Sequence, residues 1–382
     1  MESCETLDEL RSAARDVART VLRRYAYDVD LTGRFPEESL AAVVEAGLHV
    51  VGLPHDLGGG GHGLVGSAVV AEELARGCTT TQQIVGGDEL FAWPLLLSGD
   101  TSLANNYLPR IGQGELLGAF ALSEPDAGSD IAAMRTRAYR TDAGWRLKGT
   151  KRWITNAGRA DVYVVFAVTD SGVKSRSISA FVVETGDGVS FGPAERKMGL
   201  HGSPTADVQL DIEIPENRLV GELGQGLQLA LGTLDRTRCV VAAQAVGIAQ
   251  AAIDEVLAHG MNGTCSIPSS QALQFQLADL ETRVRAARLL TLDAARESEV
   301  SGSDMTLAGA SAKCFASDTA MYVTNQVTQM LGDRGYTDAT LAERLFRDAK
   351  ITQIYEGTNQ IQRIVIAREV LGRHRKNQAN AT

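Results

Sequence analysis

The chain has 382 residues, of which 44% are apolar and 22% charged, the profile of a globular protein with a large core. Its formal net charge is -10 and its sequence pI is about 5.2. This acidic balance argues against a nucleic-acid partner, which needs a basic stripe, and against binding to an anionic membrane surface. It does not exclude an anionic small substrate, because a few cationic side chains can line a pocket in an acidic protein.

The cysteine pattern and the N-terminal sequence predict a cytoplasmic protein. The cysteine count is odd, the spacing is wide and the sequence contains no CxxC, so we expect neither a disulfide framework nor a metal site. No uninterrupted apolar run reaches the roughly 18 residues of a membrane span. The opening MESCETLDEL resembles neither a signal peptide nor an Arg-rich transit peptide. The cysteines are Cys4, Cys78, Cys239, Cys265 and Cys314.

The first block of the chain, residues 1–117, is predicted to be helical. Apolar residues recur at helical spacing from Leu7 to Val21. A second helix is predicted to begin at Pro36, which is followed by two glutamates, and to end at Gly47.

The middle block, residues 118–223, changes to the period of a β-strand. Apolar and polar residues alternate over 208–214, which predicts a half-buried strand. Residues 162–168 and 178–183 are short runs rich in Val, Ile and Phe, which also favour strands. We therefore expect a small β-domain between two helical blocks.

The last block, residues 224–382, returns to helical periodicity. The sequence shows no internal repeat and no Rossmann or P-loop glycine motif. The predicted helices cover 226–258, 268–298, 304–331, 340–355 and 359–371.

Two segments near the start of the middle block carry residues suited to binding a ligand. Residues 120–130 combine glycine with small and hydroxylated side chains, so backbone N–H groups and hydroxyls can approach a ligand closely. By themselves they also fit a surface turn. In 151–158, Trp153 and Thr155 are two residues apart and share one face of a strand, where they could stack on a ring and bond its edge. A packed strand with a capped end is the alternative.

Two further segments lie in the last block. Residues 329–335 carry glycines at a helix end, which also fits an ordinary C-cap. Glu356 lies among apolar residues and next to Gly357. Such surroundings raise the pKa of a carboxyl group, as a general base needs. The alternative is a solvated glutamate at a helix junction.

Together and in this order, the four segments resemble the acyl-CoA dehydrogenase family over residues 5–372. Family signatures correspond to 121–130 and 329–348, while YEGTNQIQR at 355–363 and LDRTRCVVAA at 234–243 resemble the short- and medium-chain branch. The resemblance implies an α+β, acyl-CoA dehydrogenase-like fold with an N-terminal helical domain, a middle β-barrel and a C-terminal four-helix bundle. It also implies FAD between barrel and bundle.

The resemblance further implies roles for individual residues. Glu356 matches the base that removes the α-proton of an acyl thioester, while the β-hydrogen leaves as hydride to flavin N5, giving a trans-2-enoyl product. Ser123 would lie near the flavin ring edge, with Trp153 and Thr155 flanking the ring. Some members carry their base at the position of Thr237, which cannot serve. The implied substrate-binding residues are Ser129, Asp235, Arg238 and Gly357, and the implied FAD-binding residues are Phe120, Leu122, Ser123, Gly128, Ser129, Trp153, Ile154, Thr155, Gln329, Gly332, Thr358, Asn359 and Gln360.

Two departures from the family pattern fall where the resemblance places the FAD diphosphate. Residues 260–270 lack the Arg-x-x-Phe-Gly stretch and are shorter, and Asp333 stands where the second glycine of Gln-x-x-Gly-Gly belongs. A carboxylate beside a phosphate costs up to ~4 kcal/mol at 4 Å in an effective dielectric of ~20, which Arg334 would partly offset. We expect weaker FAD retention or an altered subunit interface.

The implied partners are an acyl thioester, an electron acceptor such as an electron-transfer flavoprotein, and further copies of the chain in a dimer or tetramer. Three alternatives stay open at this stage. The acyl group could be carried by an acyl- or peptidyl-carrier protein instead of CoA. The chain could be a flavin-poor, non-catalytic acyl-binding relative, although Glu356 argues against this. It could also be an oxidase that uses oxygen directly.

Overall fold

The computed structural model describes residues 6–169, 177–262, 267–300 and 304–381 and confirms the predicted order of helices, sheet and helices. The first helices are α1 (Leu7–Val17), α2 (Arg23–Thr32), α3 (Glu37–Glu45), α4 (Gly63–Ser98) and α5 (Thr101–Gly112). The strands are β1 (Gly118–Ala121), β2 (Arg137–Thr141), β3 (Gly144–Thr155), β4 (Val162–Val168), β5 (Ile178–Glu184), β6 (Ser190–Phe191), β7 (Thr205–Ile214) and β8 (Leu219–Val220). The last helices are α6 (Gly226–Met261), α7 (Gln271–Glu297), α8 (Met305–Leu331), α9 (Ala342–Ile351) and α10 (Asn359–Ala381).

Local sequence signals explain where the N-terminal helices begin and end. At the start of α1, Thr6 and Glu9 each accept a hydrogen bond from the other's backbone N–H, which forms a capping box. After one π-helical turn the chain continues into α2, which ends at Gly33 in the left-handed region with φ 70°. The predicted second helix is confirmed as α3, which follows Pro36 and stops before Gly47, also left-handed with φ 67°.

The strands form one sheet that encloses part of the core. Pairing runs in the order β6-β7-β3-β2-β4-β5-β8, and β1 pairs with β4 in parallel. The three strands predicted from the sequence are confirmed as β4, β5 and β7. Along β4, Val162 and Val164 pack towards the helices, whereas Tyr163 and Val165 pack into a second core with β3 and β7. The implied barrel is therefore a sheet folded around its own core, and within the described residues no ladder joins β6 to β8.

The two 36-residue helices, α4 and α6, pack against each other at the centre of the protein. Their approach needs Gly247, because a Cβ there would lie 2.2 Å from the carbonyl oxygen of Glu72. On its other side α4 meets the sheet, where a Cβ on Gly87 would lie 2.6 Å from the carbonyl oxygen of Gly118. The most apolar part of α6 is long enough to cross a membrane, but 78% of it is buried inside the protein, which is typical of a core helix.

The C-terminal helices differ from the sequence prediction mainly at α9. The helix predicted over 340–355 ends at Ile351, and the chain then turns to Glu356, which adopts a left-handed conformation. The last helix continues to Ala381, beyond the predicted end at residue 371. Among the cysteines, Cys78, Cys239 and Cys314 are free and buried, whereas Cys4 and Cys265 lie outside the described residues.

A buried ion pair ties the end of β1 to β3. The Lys151 ammonium, fully buried, donates to the Glu124 carboxylate at 2.8 Å and to the Leu122 carbonyl at 3.0 Å. The same carboxylate accepts from the backbone N–H groups of Arg135 (2.6 Å) and Thr136 (2.9 Å). Burial lowers the pKa of Lys151 to about 8, while the Glu124 charge opposes that shift. The pair therefore fixes residues 120–124 against β3.

We expect Gly247→Ala to lower the free energy of unfolding by about 1–3 kcal/mol, because the new methyl group forces α4 and α6 apart. Gly372→Ala, on α10 with nothing within 4 Å of the added Cβ, is the matched control. It should be neutral or stabilising by up to ~1 kcal/mol through helix propensity. Chemical denaturation followed by circular dichroism measures both, and equal effects would contradict the close-contact argument.

We expect Lys151→Met to lower the free energy of unfolding by about 3–5 kcal/mol, because it leaves the Glu124 carboxylate buried without its cation. The double variant Lys151→Met/Glu124→Leu should recover part of that loss. Arg140→Met breaks an exposed pair with Glu216 and should cost much less. Denaturation midpoints of the four proteins test the coupling, and a double variant less stable than Lys151→Met would contradict it.

Candidate active site

Glu356 sits in a strained turn between α9 and α10. Its φ is 52° and that of Gly357 is 89°; for a glutamate this conformation costs on the order of 1–3 kcal/mol. Three hydrogen bonds to the turn's carbonyls hold it. The Lys313 ammonium donates to Gly357 at 2.8 Å, and the Gln362 amide donates to Glu356 at 3.0 Å and to Gly357 at 2.9 Å. These bonds fix the backbone position from which the Glu356 side chain extends.

Asn359, the first residue of α10, anchors this turn to α8. Its side chain is 3% exposed, accepts from Lys313 at 2.9 Å, and donates to Ser317 at 2.9 Å and Asp318 at 2.7 Å. The resemblance assigned Asn359 to FAD binding, but its amide group is committed to protein partners and its contacts are those of a positioning residue.

The Glu356 carboxyl group has the environment of a base that works near neutral pH. Burial raises the pKa of Glu356 to about 7, against opposing effects of a hydrogen bond with Thr237 and the positive charges of Arg238 and Lys313. The residue as a whole is half-buried, but its Oε2 atom is buried and has no hydrogen-bond partner in the described part of the chain. One carboxyl oxygen is therefore free to receive a proton.

A cavity of about 20 Å³ adjoins Glu356 between α4 and α6. That volume holds only one or two groups the size of a water molecule. Its lining recurs at helical spacing on both helices, so one face of each helix forms a wall. The lining residues are Gln82, Gln83, Gly86, Glu89 and Leu90 of α4, Thr237, Val240, Val241 and Gln244 of α6, and Tyr355 and Glu356.

A chain of polar side chains crosses one wall of this cavity. The Tyr355 hydroxyl donates to the Gln244 side-chain oxygen, and the Gln244 amide donates to the side-chain oxygens of Gln82 and, at 3.3 Å, Gln83. The pKa of Tyr355 is raised well above its usual value, first by burial and then by the charge of Glu356. Tyr355 therefore remains a hydroxyl donor at neutral pH.

The structure brings together two of the segments predicted to hold a ring. The Arg152 N–H donates to the Ser123 carbonyl at 2.8 Å, which sets the segment after β1 beside the end of β3. The Asn156 side chain then donates to the Ile84 carbonyl at 2.9 Å, so the end of β3 rests on α4, the helix that lines the cavity. The end of β3, with the segment around Ser123 beside it, therefore lies against α4, and other residues of α4 line the cavity at Glu356.

Trp153 occupies a bulge in β3. Pairing with β7 shifts register between Lys151 and Ile154, and Trp153 has φ 62° with 54% of its surface exposed. Thr155 is half-buried, whereas Ile154 between them is 2% exposed and belongs to the core of the sheet. Trp153 and Thr155 thus avoid that core, while the Ile154 side chain points into it and leaves only backbone for a ligand.

The remaining ring-binding candidates differ in exposure. Leu122 is 8% exposed and packs into the core between sheet and helices, whereas Phe120 is half-buried with its ring 4.9 Å from that of Phe166. Gly128 and Ser129 are exposed, and a Cβ on Gly128 would meet no atom within 4 Å. The half-buried and exposed candidates are Phe120, Ser123, Gly128, Ser129, Trp153, Thr155, Thr358 and Gln360.

Asp235 and Arg238 form an ion pair one helical turn apart on α6. The Arg238 guanidinium donates to Asp235, whose second oxygen accepts from the Thr306 hydroxyl at 2.6 Å. Arg238 is 4% exposed, and its Nε has no hydrogen-bond partner among the described residues. Its charge helps to lower the pKa of Glu356, which burial raises.

Gln329 and Gly332 lie elsewhere. Both are exposed at the end of α8, and Gln329 is about 24 Å along the helix from Lys313, at 1.5 Å per residue. Within one chain they do not join the Glu356 site. Asp333 is also exposed and accepts the Arg334 N–H at 2.9 Å. Part of the shortened 260–270 segment, residues 263–266, lies outside the described residues.

Sequence reasoning did not identify Lys313, Glu89, Gln82 or Gln244 as site residues. Their signal was available: each is a polar or charged residue within a long helix that is rich in apolar residues. Burying such groups without partners is unfavourable, so their presence in a core helix indicates a polar site.

Comparison with known proteins identifies the fold and the chemistry. Models of the acyl-CoA dehydrogenase N-terminal, middle and C-terminal domains match residues 5–115, 119–212 and 224–371. A probable acyl-CoA dehydrogenase of Mycobacterium tuberculosis is 44% identical over 372 residues, 96% of each chain. The short-chain specific mitochondrial acyl-CoA dehydrogenase of Bos taurus is 39% identical over 381 residues, covering 98% of this chain and 92% of the relative. The butyryl-CoA dehydrogenase structure from Megasphaera elsdenii superposes with a TM-score of 0.92 at 34% identity, covering 97% of this chain and 99% of that one. This chain belongs to the acyl-CoA dehydrogenase family.

Proposed function

We propose that this enzyme desaturates a short acyl-CoA between its α and β carbons, with Glu356 as the base and FAD as the redox cofactor. The observation that carries the proposal is the buried Glu356 carboxyl group beside a small cavity, with Oε2 free of protein partners. An acyl-CoA dehydrogenase needs such a group, because an α-proton beside a thioester is only weakly acidic and its removal needs a positioned base.

The residues around β1 and β3 fit FAD. Trp153 presents a half-exposed aromatic ring at a bulge with positive φ, where a ligand ring could stack on it. The space beside Gly128 leaves its backbone open to a close approach. Bound FAD would supply the acceptor for the hydride that leaves the β-carbon. The residues we assign to holding it are Phe120, Ser123, Gly128, Ser129, Trp153, Thr155, Thr358 and Gln360, with backbone atoms of Leu122 and Ile154.

The chain's own residues prepare the proton transfer. Lys313 holds the Gly357 carbonyl and thereby the turn that carries Glu356. Arg238 and Lys313 stabilise the carboxylate form of Glu356, which is the form that accepts the α-proton. The walls of α4 and α6 leave little room for water, so the base acts in a medium where fixed charges are strong. Asp235 positions Arg238 through their ion pair.

The size of the cavity favours a short acyl chain. About 20 Å³ beyond Glu356 leaves no space for a long tail, and the Gln244 and Tyr355 side chains close one wall. The short-chain specific relative is named for the same preference. We favour CoA over a carrier protein because the mycobacterial and mitochondrial relatives, 44% and 39% identical to this chain, are named for CoA substrates.

We further propose that the enzyme is a cytoplasmic homo-oligomer that passes its electrons to an electron-transfer flavoprotein. Gln329 and Gly332 are exposed and far from their own chain's Glu356, so any flavin they contact belongs to another subunit. Large apolar side chains are also exposed on the C-terminal helices, as an interface between copies would require. They include Phe275, Leu289, Tyr322 and Ile364.

We expect Glu356→Gln to slow flavin reduction by butyryl-CoA by roughly 10²–10⁴ or more, because glutamine keeps the shape of the side chain but cannot take a proton. Thr237, at the alternative base position, has no carboxylate to replace it. Anaerobic stopped-flow absorbance of the FAD-loaded protein measures the rate, while flavin content and thermal denaturation check that folding and FAD binding survive. Glu115→Gln, on the exposed surface, should behave as wild type. A near wild-type rate in Glu356→Gln would move the base elsewhere.

We expect the rate of flavin reduction to rise with pH and to level off above about 7. Burial raises the pKa of Glu356 to about 7, so below that pH the base is mostly protonated and the rate should fall about tenfold per pH unit. The apparent value belongs to Glu356 together with Glu89, because the two carboxyl groups interact. Single-turnover rates on both sides of pH 7 provide the measurement. A profile that stays flat well below pH 7 would contradict a buried base.

A further inference from the structure

A second buried carboxyl group, that of Glu89, lines the same cavity as Glu356 and takes no part in the proton transfer to Glu356. Glu89 is 6% exposed and lies on α4, at the position seven residues after Gln82. Its Oε1 is hydrogen-bonded to the Ser67 hydroxyl. Gly52 lies close by, since a Cβ added to it would be 3.0 Å from this Oε1. Its Oε2 is buried and has no hydrogen-bond partner among the residues that the structure describes.

The hydrogen bonds around Ser67 leave Oε2 as an acceptor in both protonation states. The Ser67 hydroxyl has one hydrogen but two neighbouring acceptors, Glu89 Oε1 and the Gly63 carbonyl at 3.2 Å. With Glu89 ionised, Ser67 donates to Oε1; with Glu89 protonated on Oε1, the acid donates to Ser67, which then donates to Gly63. Burial raises the pKa of Glu89 to about 7, opposed by the Ser67 bond and reinforced by the Glu356 charge. Either form offers Oε2 to a donor.

A cavity built only for a hydrocarbon tail would not be lined in this way. An apolar side chain in place of Glu89 would avoid desolvating a carboxyl group, and leucine and valine already occupy Leu90 and Val241 in the same lining. The side-chain amides of Gln82 and Gln83 add further polar surface beside Glu89. The lining therefore matches a ligand with a polar end.

We propose that the natural acyl group carries an O–H or N–H donor at the end remote from the thioester, and that Glu89 Oε2 accepts its hydrogen bond. Glu89 is thus a specificity-determining residue. This inference rests on the proposed function for its orientation, because the thioester carbons must lie at Glu356 for the far end of the acyl group to reach Glu89 across the cavity.

Three isosteric thioesters test the proposal on the FAD-loaded enzyme: pentanoyl-CoA, 4-hydroxybutyryl-CoA and freshly prepared 4-aminobutyryl-CoA. They end in a methyl, hydroxyl and ammonium group. We expect kcat/KM for a donor substrate to exceed that for pentanoyl-CoA by about 10- to 100-fold, the factor that one hydrogen bond to a buried acceptor supplies. Wild-type preference for pentanoyl-CoA over both donor substrates would overturn the proposal.

Two variants identify the residue and the type of donor. Glu89→Leu should lower kcat/KM for the donor substrate by about 10- to 100-fold and raise it for pentanoyl-CoA, which reverses the order. Glu89→Gln keeps an acceptor oxygen but loses the charge, so preference for a hydroxyl should persist and preference for an ammonium should disappear. A loss of equal size on all three substrates in Glu89→Leu would show a merely structural role and overturn the proposal. If Glu89→Leu does not fold, the proposal is tested by Glu89→Gln together with the wild-type ratio of kcat/KM between a donor substrate and pentanoyl-CoA.

Binding separates failure of this inference from failure of the proposed function. If none of the thioesters reduces the flavin, the dehydrogenase proposal fails, and calorimetric Kd values for the same three compounds then test Glu89 alone. Tighter binding of a donor substrate than of pentanoyl-CoA, lost in Glu89→Leu, supports the inference. Equal binding of all three compounds overturns it.

Discussion

The packing of α4 against α6 is the constraint on which the rest of the structure depends. The two helices belong to the first and the last block of the chain. Their axes can approach only because Gly247 has no side chain that would clash with the Glu72 carbonyl. The cavity beside Glu356 is a gap in this interface. On its opposite side α4 carries the sheet, through Asn156 and the glycine at position 87. A small separation of the helices would therefore disturb both the cavity beside Glu356 and the contacts of α4 with β1 and β3, the strands that carry the residues we assign to FAD.

Two buried lysines stabilise the segments that contain two of the residues with positive φ in the site, Glu356 and Trp153. Lys313 bonds to the turn in which Glu356 has a positive φ, and Lys151 fixes the strand in which Trp153 has one. Burial lowers the pKa of each lysine to about 8, and each has a carboxylate nearby that opposes the shift. Non-glycine residues in this conformation are unfavourable by themselves, so neighbouring contacts must hold them. The arrangement presets the base and the aromatic ring before any ligand binds.

The polarity of the cavity distinguishes it from a pocket that binds only an apolar acyl chain. Glu356 and Glu89 share a small, poorly solvated space in which the charge of Glu356 disfavours ionisation of Glu89. Glu356 is stabilised as a carboxylate by Arg238 and Lys313, whereas Glu89 has Ser67 as its neighbour. Their different surroundings suit different tasks: proton removal at one end of the acyl group and recognition at the other.

The sequence by itself determined the order of helices, sheet and helices, the strands β4, β5 and β7, and the choice of Glu356 as candidate base. The elements follow from local periodicity, and Glu356 follows from a resemblance that four short segments carry together, so no long-range contact is needed to recognise them. Only the tertiary structure decided that Glu89 faces the same cavity as Glu356, that Lys313 holds the turn, and that Asn359 is committed to the protein. Periodicity shows which face of a helix is buried, but the residue opposite that face is set by packing between segments far apart in the chain.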